Sequence, residues 1–109
     1  MGLLRSSLFS GDRALEACAV SDPAHVTPGA QGPHVRKIQD ALDQIERAGL
    51  AQTAEYRSST YGTATAAAVT KFKSSRNIRN TANQIDPIVG KKTIKALDDE
   101  LARGGGLSE

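Results

Sequence analysis

Cys18, His25 and His34 carry the most reactive chemistry in this sequence, and Asp22 is a carboxylate near enough along the chain to orient an imidazole. A thiolate activated by an adjacent imidazole is a nucleophile. One thiolate with two imidazoles is also a fragment of a zinc site. Neither pattern is complete. All four residues stand in the first third of the chain, without a glycine-rich oxyanion turn or a second lobe that would make a cleft. The single cysteine also rules out an internal disulfide and any multi-thiolate metal site. No catalytic residue, metal or cofactor is therefore expected. His34 is read as a surface or capping group and His25 as a packing or hydrogen-bonding one.

The stronger signal is charge. From Lys71 to Lys95 the chain carries Lys71, Lys73, Arg76, Arg79, Lys91, Lys92 and Lys95 against one acid, Asp86, although the formal net charge overall is only +2. The ordinary fate of such residues is a solvated face; the functional reading is attraction to an anionic polymer or to carboxylates. Nucleic acid is not the expected anion. Helix-turn-helix readers join their helices by a 3–4-residue turn, and here about fourteen residues separate the second and third helices. With no Trp, two Phe and two Tyr, a base-stacking platform is not expected either.

These side chains need elements to hold them. A chain of 109 residues makes one domain. Large aliphatic residues are sparse, but alanine is abundant and net charge is low, which predicts a small, closely packed, all-α core. Gly32-Pro33 is a helix start, because proline at the first helical position lacks the N–H that would be orphaned there. Val35, Ile38, Leu42 and Ile45 follow at steps of three and four, predicting a helix over 33–48 that Gly49 stops. After a polar connector over 50–60, a second helix runs from Tyr61-Gly62 through Thr65, Ala68, Val69 and Phe72. A longer polar connector, 74–87, leads to a third helix after Val89-Gly90, with Ile94, Leu97 and Leu101 on one stripe. Residues 1–31 carry turn signals at Ser10-Gly11-Asp12, Ser21-Asp22-Pro23 and Thr27-Pro28-Gly29 and are read as irregular, with Leu15 to Val20 able to form a short extended segment. The predicted organisation is an irregular N-terminal strap over 1–25, a helical domain over 26–102 and a flexible Gly-rich tail over 103–109.

The last two helices echo each other. Tyr61-Gly62-x-x-Thr65-x-x-Ala68-Val69 and Val89-Gly90-x-x-Thr93-x-x-Ala96-Leu97 share one pattern at a constant shift of 28 residues. The expected meaning is structural: glycine permits a tight approach to the helix, threonine turns its hydroxyl toward nearby main chain, and the Ala-apolar pair faces the core.

Taken in order, these segments resemble the peptidoglycan-binding-like family, a three-helix module attached to many cell-wall enzymes. The matching residues are Gly29 and Gly32 with Val35, Ile38, Gln39 and Leu42, then Tyr61-Gly62, Thr65, Ala68-Val69 and Phe72, then Asp86, Val89-Gly90, Thr93 and Leu97. The resemblance spans about 26–101 and departs at Lys73, where the family usually has Gln, and in the longer 74–85 segment. It implies a compact three-helix bundle of the peptidoglycan-binding type, preceded by the strap. Gly32, Val35, Ile38, Leu42, Gly62, Thr65, Val69, Phe72, Gly90, Thr93 and Leu97 would be its structural motif. It further implies a non-catalytic module that recognises peptidoglycan or a wall fragment, stem-peptide carboxylates included, in a shallow groove beside the helices. Arg36, Gln39, Tyr61, Lys91, Lys92 and Lys95 are the candidate contacts. The plainer reading of Gln39 is an amide satisfying buried main chain, and that of Tyr61 is core packing. A rival reading keeps the fold but makes the chain a protein-interaction adaptor or secretion-associated accessory protein, partnered by a toxin or a secretion-system component.

No apolar run approaches the ~18–20 residues of a membrane helix, and Arg5 interrupts the apolar stretch that a secretory leader would need. Neither a membrane nor nucleic acid is an expected partner. The chain is expected to be cytoplasmic as synthesised, reaching the periplasm or wall by a specialised secretion route. Met1-Gly2 with Ser6 fits the short N-myristoylation pattern.

Overall fold

The computed structural model describes residues 4–20, 25–80 and 82–103. Its helices are α1 (Arg13–Cys18), α2 (Pro33–Glu46), α3 (Ala54–Arg57), α4 (Thr63–Ser75) and α5 (Lys91–Ala102), with a 3-10 turn at Leu50–Gln52 before α3. The chain is all-α; among the described residues the only extended pairings are two isolated antiparallel bridges. The Met1-Gly2 pattern, Asp22 and the glycines from 104 onward lie outside the described residues.

The stripe on α2 forms as the spacing predicts. Val35, Ile38 and Leu42 are fully buried, and Gln39 and Ala41 are buried with them. Gly32 caps the helix at φ 140, a conformation open essentially to glycine alone. The helix ends at Glu46 rather than 48, because Arg47 turns left-handed (φ 54) and returns its N–H to the Asp43 carbonyl. The Asp43 carboxylate then accepts from Leu50 N at 2.7 Å and Ala51 N at 2.9 Å, folding the chain back into the 3-10 turn. The expected polar connector is therefore ordered, as that turn followed by α3. Of the long helices, α2 is the hub: α4 and α5 both pack on it, and α1 packs on α5.

The N-terminal part departs most from expectation. Leu15 to Cys18 is helical, not extended, because Asp12 caps α1 by accepting from Leu15 N at 3.1 Å. Leu4, Phe9, Leu15, Cys18 and Ala19 are buried in the same core as the long helices. The segment is locked on by Asp98 of α5, a buried carboxylate that accepts from Arg5 N at 2.9 Å and Ser6 N at 2.8 Å. Lys37 of α2 pairs with Asp12 at 3.1 Å. Residues 4–20 are thus a wall of the domain, not a strap laid over a finished one.

The 28-residue echo has a structural cause. Residues 26–32 run past the start of both α4 and α5. Val26 exchanges hydrogen bonds with Val89 (3.0 and 2.9 Å), Gly29 N donates to Tyr61 O (2.8 Å), and Tyr61 N donates to Ala30 O (2.8 Å). The apolar residue before each glycine is therefore pinned to one strand-like segment, and both side chains are buried. Gly62 and Gly90 have nearly identical backbones (φ −104, ψ −161 and φ −106, ψ −163), so the two helices set out from matching corners. These angles are open to any residue; what demands glycine is space. A Cβ at 62 would meet Glu55 Oε2 at 2.7 Å, and one at 90 would meet His25 Nε2 at 3.0 Å.

Candidate functional site

At the α4 corner the free N–H groups of the first turn are taken by a carboxylate from inside the chain. Thr53 starts α3 by accepting from Tyr56 N at 3.2 Å, which places Glu55 against Gly62. Glu55 accepts from Gly62 N (3.1 Å), Ala64 N (3.0 Å), Thr65 N (2.7 Å) and Thr65 Oγ1 (2.5 Å). Burial works to raise the Glu55 pKa, but these bonds outweigh it and hold the carboxyl below its usual value.

Among the described residues no carboxylate takes that place at the α5 corner. His25 stands over Gly90 where Glu55 stands over Gly62. Thr93, the counterpart of Thr65, is only 2% exposed, yet its hydroxyl has no hydrogen-bond partner among the described residues. It lines a cavity of about 410 Å³ between the first turn of α5 and the 78–88 segment, a size typical of small-ligand sites. Lys91, Lys92 and Arg79 line the same cavity, and Ile78 and Ile88 supply apolar wall. Arg79 bonds only neutral groups, Asn77 Oδ1 at 2.7 Å and Asn83 O at 3.2 Å. Lys92 is exposed and has no acidic partner among the described residues.

The wall of the cavity opposite α5 is held by Lys73 and Asp86. The Lys73 ammonium, 5% exposed, pairs with Asp86 and donates to Ile88 O at 2.8 Å, while Asn80 Nδ2 donates to Asp86 at 2.8 Å. Burial pushes the Asp86 carboxyl upward, but the bonds from Lys73, Asn80 and Ile88 N outweigh it and keep the group ionised to unusually low pH. Tyr61 donates its hydroxyl to Pro87 O, and burial together with the Asp86 charge drives its pKa strongly upward. The long connector is thus fastened at three successive residues, Asp86, Pro87 and Ile88.

The predicted contacts divide. Lys91 and Lys92 come together at the cavity; Arg36, Gln39, Tyr61 and Lys95 do not line it. Gln39 is fully buried and donates to Thr60 O and Thr65 Oγ1, both at 3.0 Å, so no ligand reaches it. Tyr61 is 1% exposed and serves the core. Arg36 lies 4.1 Å from the Tyr56 ring centroid and donates to Tyr56 O at 2.9 Å, clamping α3 to α2. Lys95 remains exposed on the outer face of α5.

The basic face is correspondingly smaller than the sequence suggests, because Lys73 is buried and Arg76 is neutralised. Arg76 spans three helices, with Nε and Nη2 forked onto Glu100 (2.6 and 2.7 Å), Nη1 on Glu46, and the guanidinium 4.1 Å from the Phe72 ring centroid. The bond from Arg76 and its charge pull the Glu100 carboxyl down. Lysine cannot form that fork. Arg76→Lys is expected to cost about 1 kcal/mol, read as a lower thermal midpoint with unchanged helical content.

Cys18 is not placed as an activated thiol. Cys18 is fully buried, donates to Val89 O at 3.2 Å, and burial pushes its pKa to about 11, so it stays a neutral thiol. Among the described residues no three His, Cys, Asp or Glu side chains gather as a metal site. No helix there is long and apolar enough to cross a membrane. Sequence reasoning missed Glu55, Asp98 and the role of Thr93; the Thr65/Thr93 echo was the signal for the last. Set against protein families, curated proteins and solved structures, the chain matches none.

Proposed function

We propose that this protein is a non-catalytic binding module that recognises bacterial cell-wall peptidoglycan, its three long helices forming a variant of the three-helix module that the sequence resembles. The observation that carries the reading is the α5 cavity. It is of ligand size, flanked by Lys92 and Arg79, which have no acidic partner among the described residues, and backed by apolar wall. Peptidoglycan offers matching chemistry in the carboxylates and short apolar side chains of its stem peptides. The motif's structural positions support the same reading, since Val35, Ile38, Leu42, Val69, Phe72 and Leu97 all pack into the core.

The test is a pull-down with protein-free sacculi at low and moderate salt. Saturable binding that survives moderate salt is expected. Lys91→Gln with Lys92→Gln should weaken it at least tenfold, while Lys95→Gln, which lies outside the cavity, should change it less than twofold. Binding that disappears at moderate salt, or that all three lysines support equally, would reduce the interaction to non-specific attraction. Absence of binding at either salt would overturn the wall reading and favour the adaptor.

A further inference from the structure

The two matching helix corners differ in one respect. At α4 a carboxylate from the chain itself sits on the Gly-x-x-Thr turn and uses the threonine hydroxyl as well as the N–H groups. At α5 the same turn, with backbone angles at its glycine within a few degrees, meets His25 over the glycine and, beside it, the cavity that His25 and Thr93 line. We propose that the α5 cavity binds the free terminal carboxylate of a peptide, received at the Thr93 hydroxyl on the first turn of α5, beside His25. This deepens the wall-binding reading and rests on it for the class of ligand.

Three observations carry the assignment. The first is Thr93: its hydroxyl, on a residue 98% buried, is left unpartnered at the cavity, whereas the hydroxyl of its counterpart Thr65 bonds both Glu55 and Gln39. The hydroxyl opens onto the cavity, and a seated carboxylate would give it an acceptor. The second is the internal precedent, since Glu55 demonstrates that this turn accepts a carboxylate in four hydrogen bonds. The third is charge. Lys92 and Arg79 flank the cavity without an acidic partner among the described residues, while the nearby acid, Asp86, is already engaged by Lys73, Asn80 and Ile88 N. Ile78 and Ile88 bound the space beside this polar corner, which suits a small apolar side chain next to the carboxylate. One acid in the wall and a volume of about 410 Å³ suit a single terminal anion better than a polyanion.

The experiment is a titration of the full-length protein, followed by amide NMR shifts, with N-acetyl-D-alanyl-D-alanine, its C-terminal amide, and inorganic phosphate. The free acid is expected to shift the Lys92 and Thr93 amides saturably, and the amide to bind at least tenfold more weakly. Thr93→Val removes the hydroxyl at nearly constant shape and should weaken the acid at least fivefold. Lys92→Gln, an exposed position with no packing role, should weaken it similarly and guards against a folding effect of the first variant. Equal binding of acid and amide, phosphate binding as tightly as the peptide acid, or non-saturating shifts shared with Lys71 and Lys95 would each overturn the proposal. Sacculus binding that Thr93→Val leaves unchanged would sink the carboxylate seat while sparing the wall reading. Tight binding of the peptide acid with no binding of sacculi would do the reverse.

Discussion

Phe9→Ala is expected to lower the free energy of unfolding by about 3–5 kcal/mol, the cost of emptying a fully packed aromatic site. Phe9 is 0% exposed and shares the core with Leu15, Ile38, Leu42 and Leu97. Domains of this size are stable by only about 5–15 kcal/mol, so the substitution removes a large part of the total. The segment carrying Phe9 cannot easily collapse into the void, because Asp98 holds the Arg5 and Ser6 amides and the Asp12 cap holds α1. Urea unfolding followed by far-ultraviolet circular dichroism measures the effect. A change of less than about 0.5 kcal/mol, the usual size for a surface position, would mean that the N-terminal segment is a removable strap after all.

Glu55→Ala should cost about 2–3 kcal/mol. It removes a cap of the kind worth ~1 kcal/mol with a neutral side chain, here made of charge-assisted bonds that are each stronger. It also strands the Thr65 hydroxyl, leaving it only the Gln39 amide. Glu55→Gln keeps an acceptor but not the charge, and should cost roughly half as much. The pH dependence separates charge from shape. Because the folded pKa lies below the unfolded value near 4.5, the charge contributes its full stabilisation above that pH and loses it as pH falls through the folded value. Unfolding curves of the native protein and Glu55→Gln should therefore lie apart at pH 7 and converge on acidification. Asp12, Asp86 and Glu100 have pKa values lowered in the same sense, so both proteins still weaken in acid. A gap that stays constant with pH would show that the carboxylate acts by shape alone.

Both predictions concern residues that the sequence did not single out, for different reasons. Helices α2, α4 and α5 were legible because each is long enough for a stripe to repeat: Val35, Ile38 and Leu42; Thr65, Val69 and Phe72; Ile94, Leu97 and Leu101. A six-residue helix such as α1 offers one turn and a half, so Leu15 and Cys18 make no detectable period. Phe9 lies in a turn, and the segment that carries it is held by Asp98 of α5, about ninety residues away in the chain. Glu55 sits in a four-residue helix amid polar neighbours, and only the fold-back at Asp43 brings it to Gly62.

Charge shows the same division. Seven basic residues were visible between Lys71 and Lys95, but not that Lys73 would be buried on Asp86 or that Arg76 would be consumed by Glu46 and Glu100. Of the candidate contacts, Gln39 and Tyr61 satisfy the interior, Arg36 clamps α3, and Lys91 and Lys92 alone reach the cavity.

The sequence by itself determined what is local: the all-α class, the starts of the three long helices, and the repeated Gly-x-x-Thr turn, all of which follow from backbone preference and side-chain period within a few residues. Only the tertiary structure decided that residues 4–20 complete the core, that Glu55 fills one of two matching corners, and that the other opens on a cationic cavity. Those outcomes depend on which distant side chain reaches an unpaired N–H or an unfilled apolar space first. Spacing along one chain carries no record of that competition.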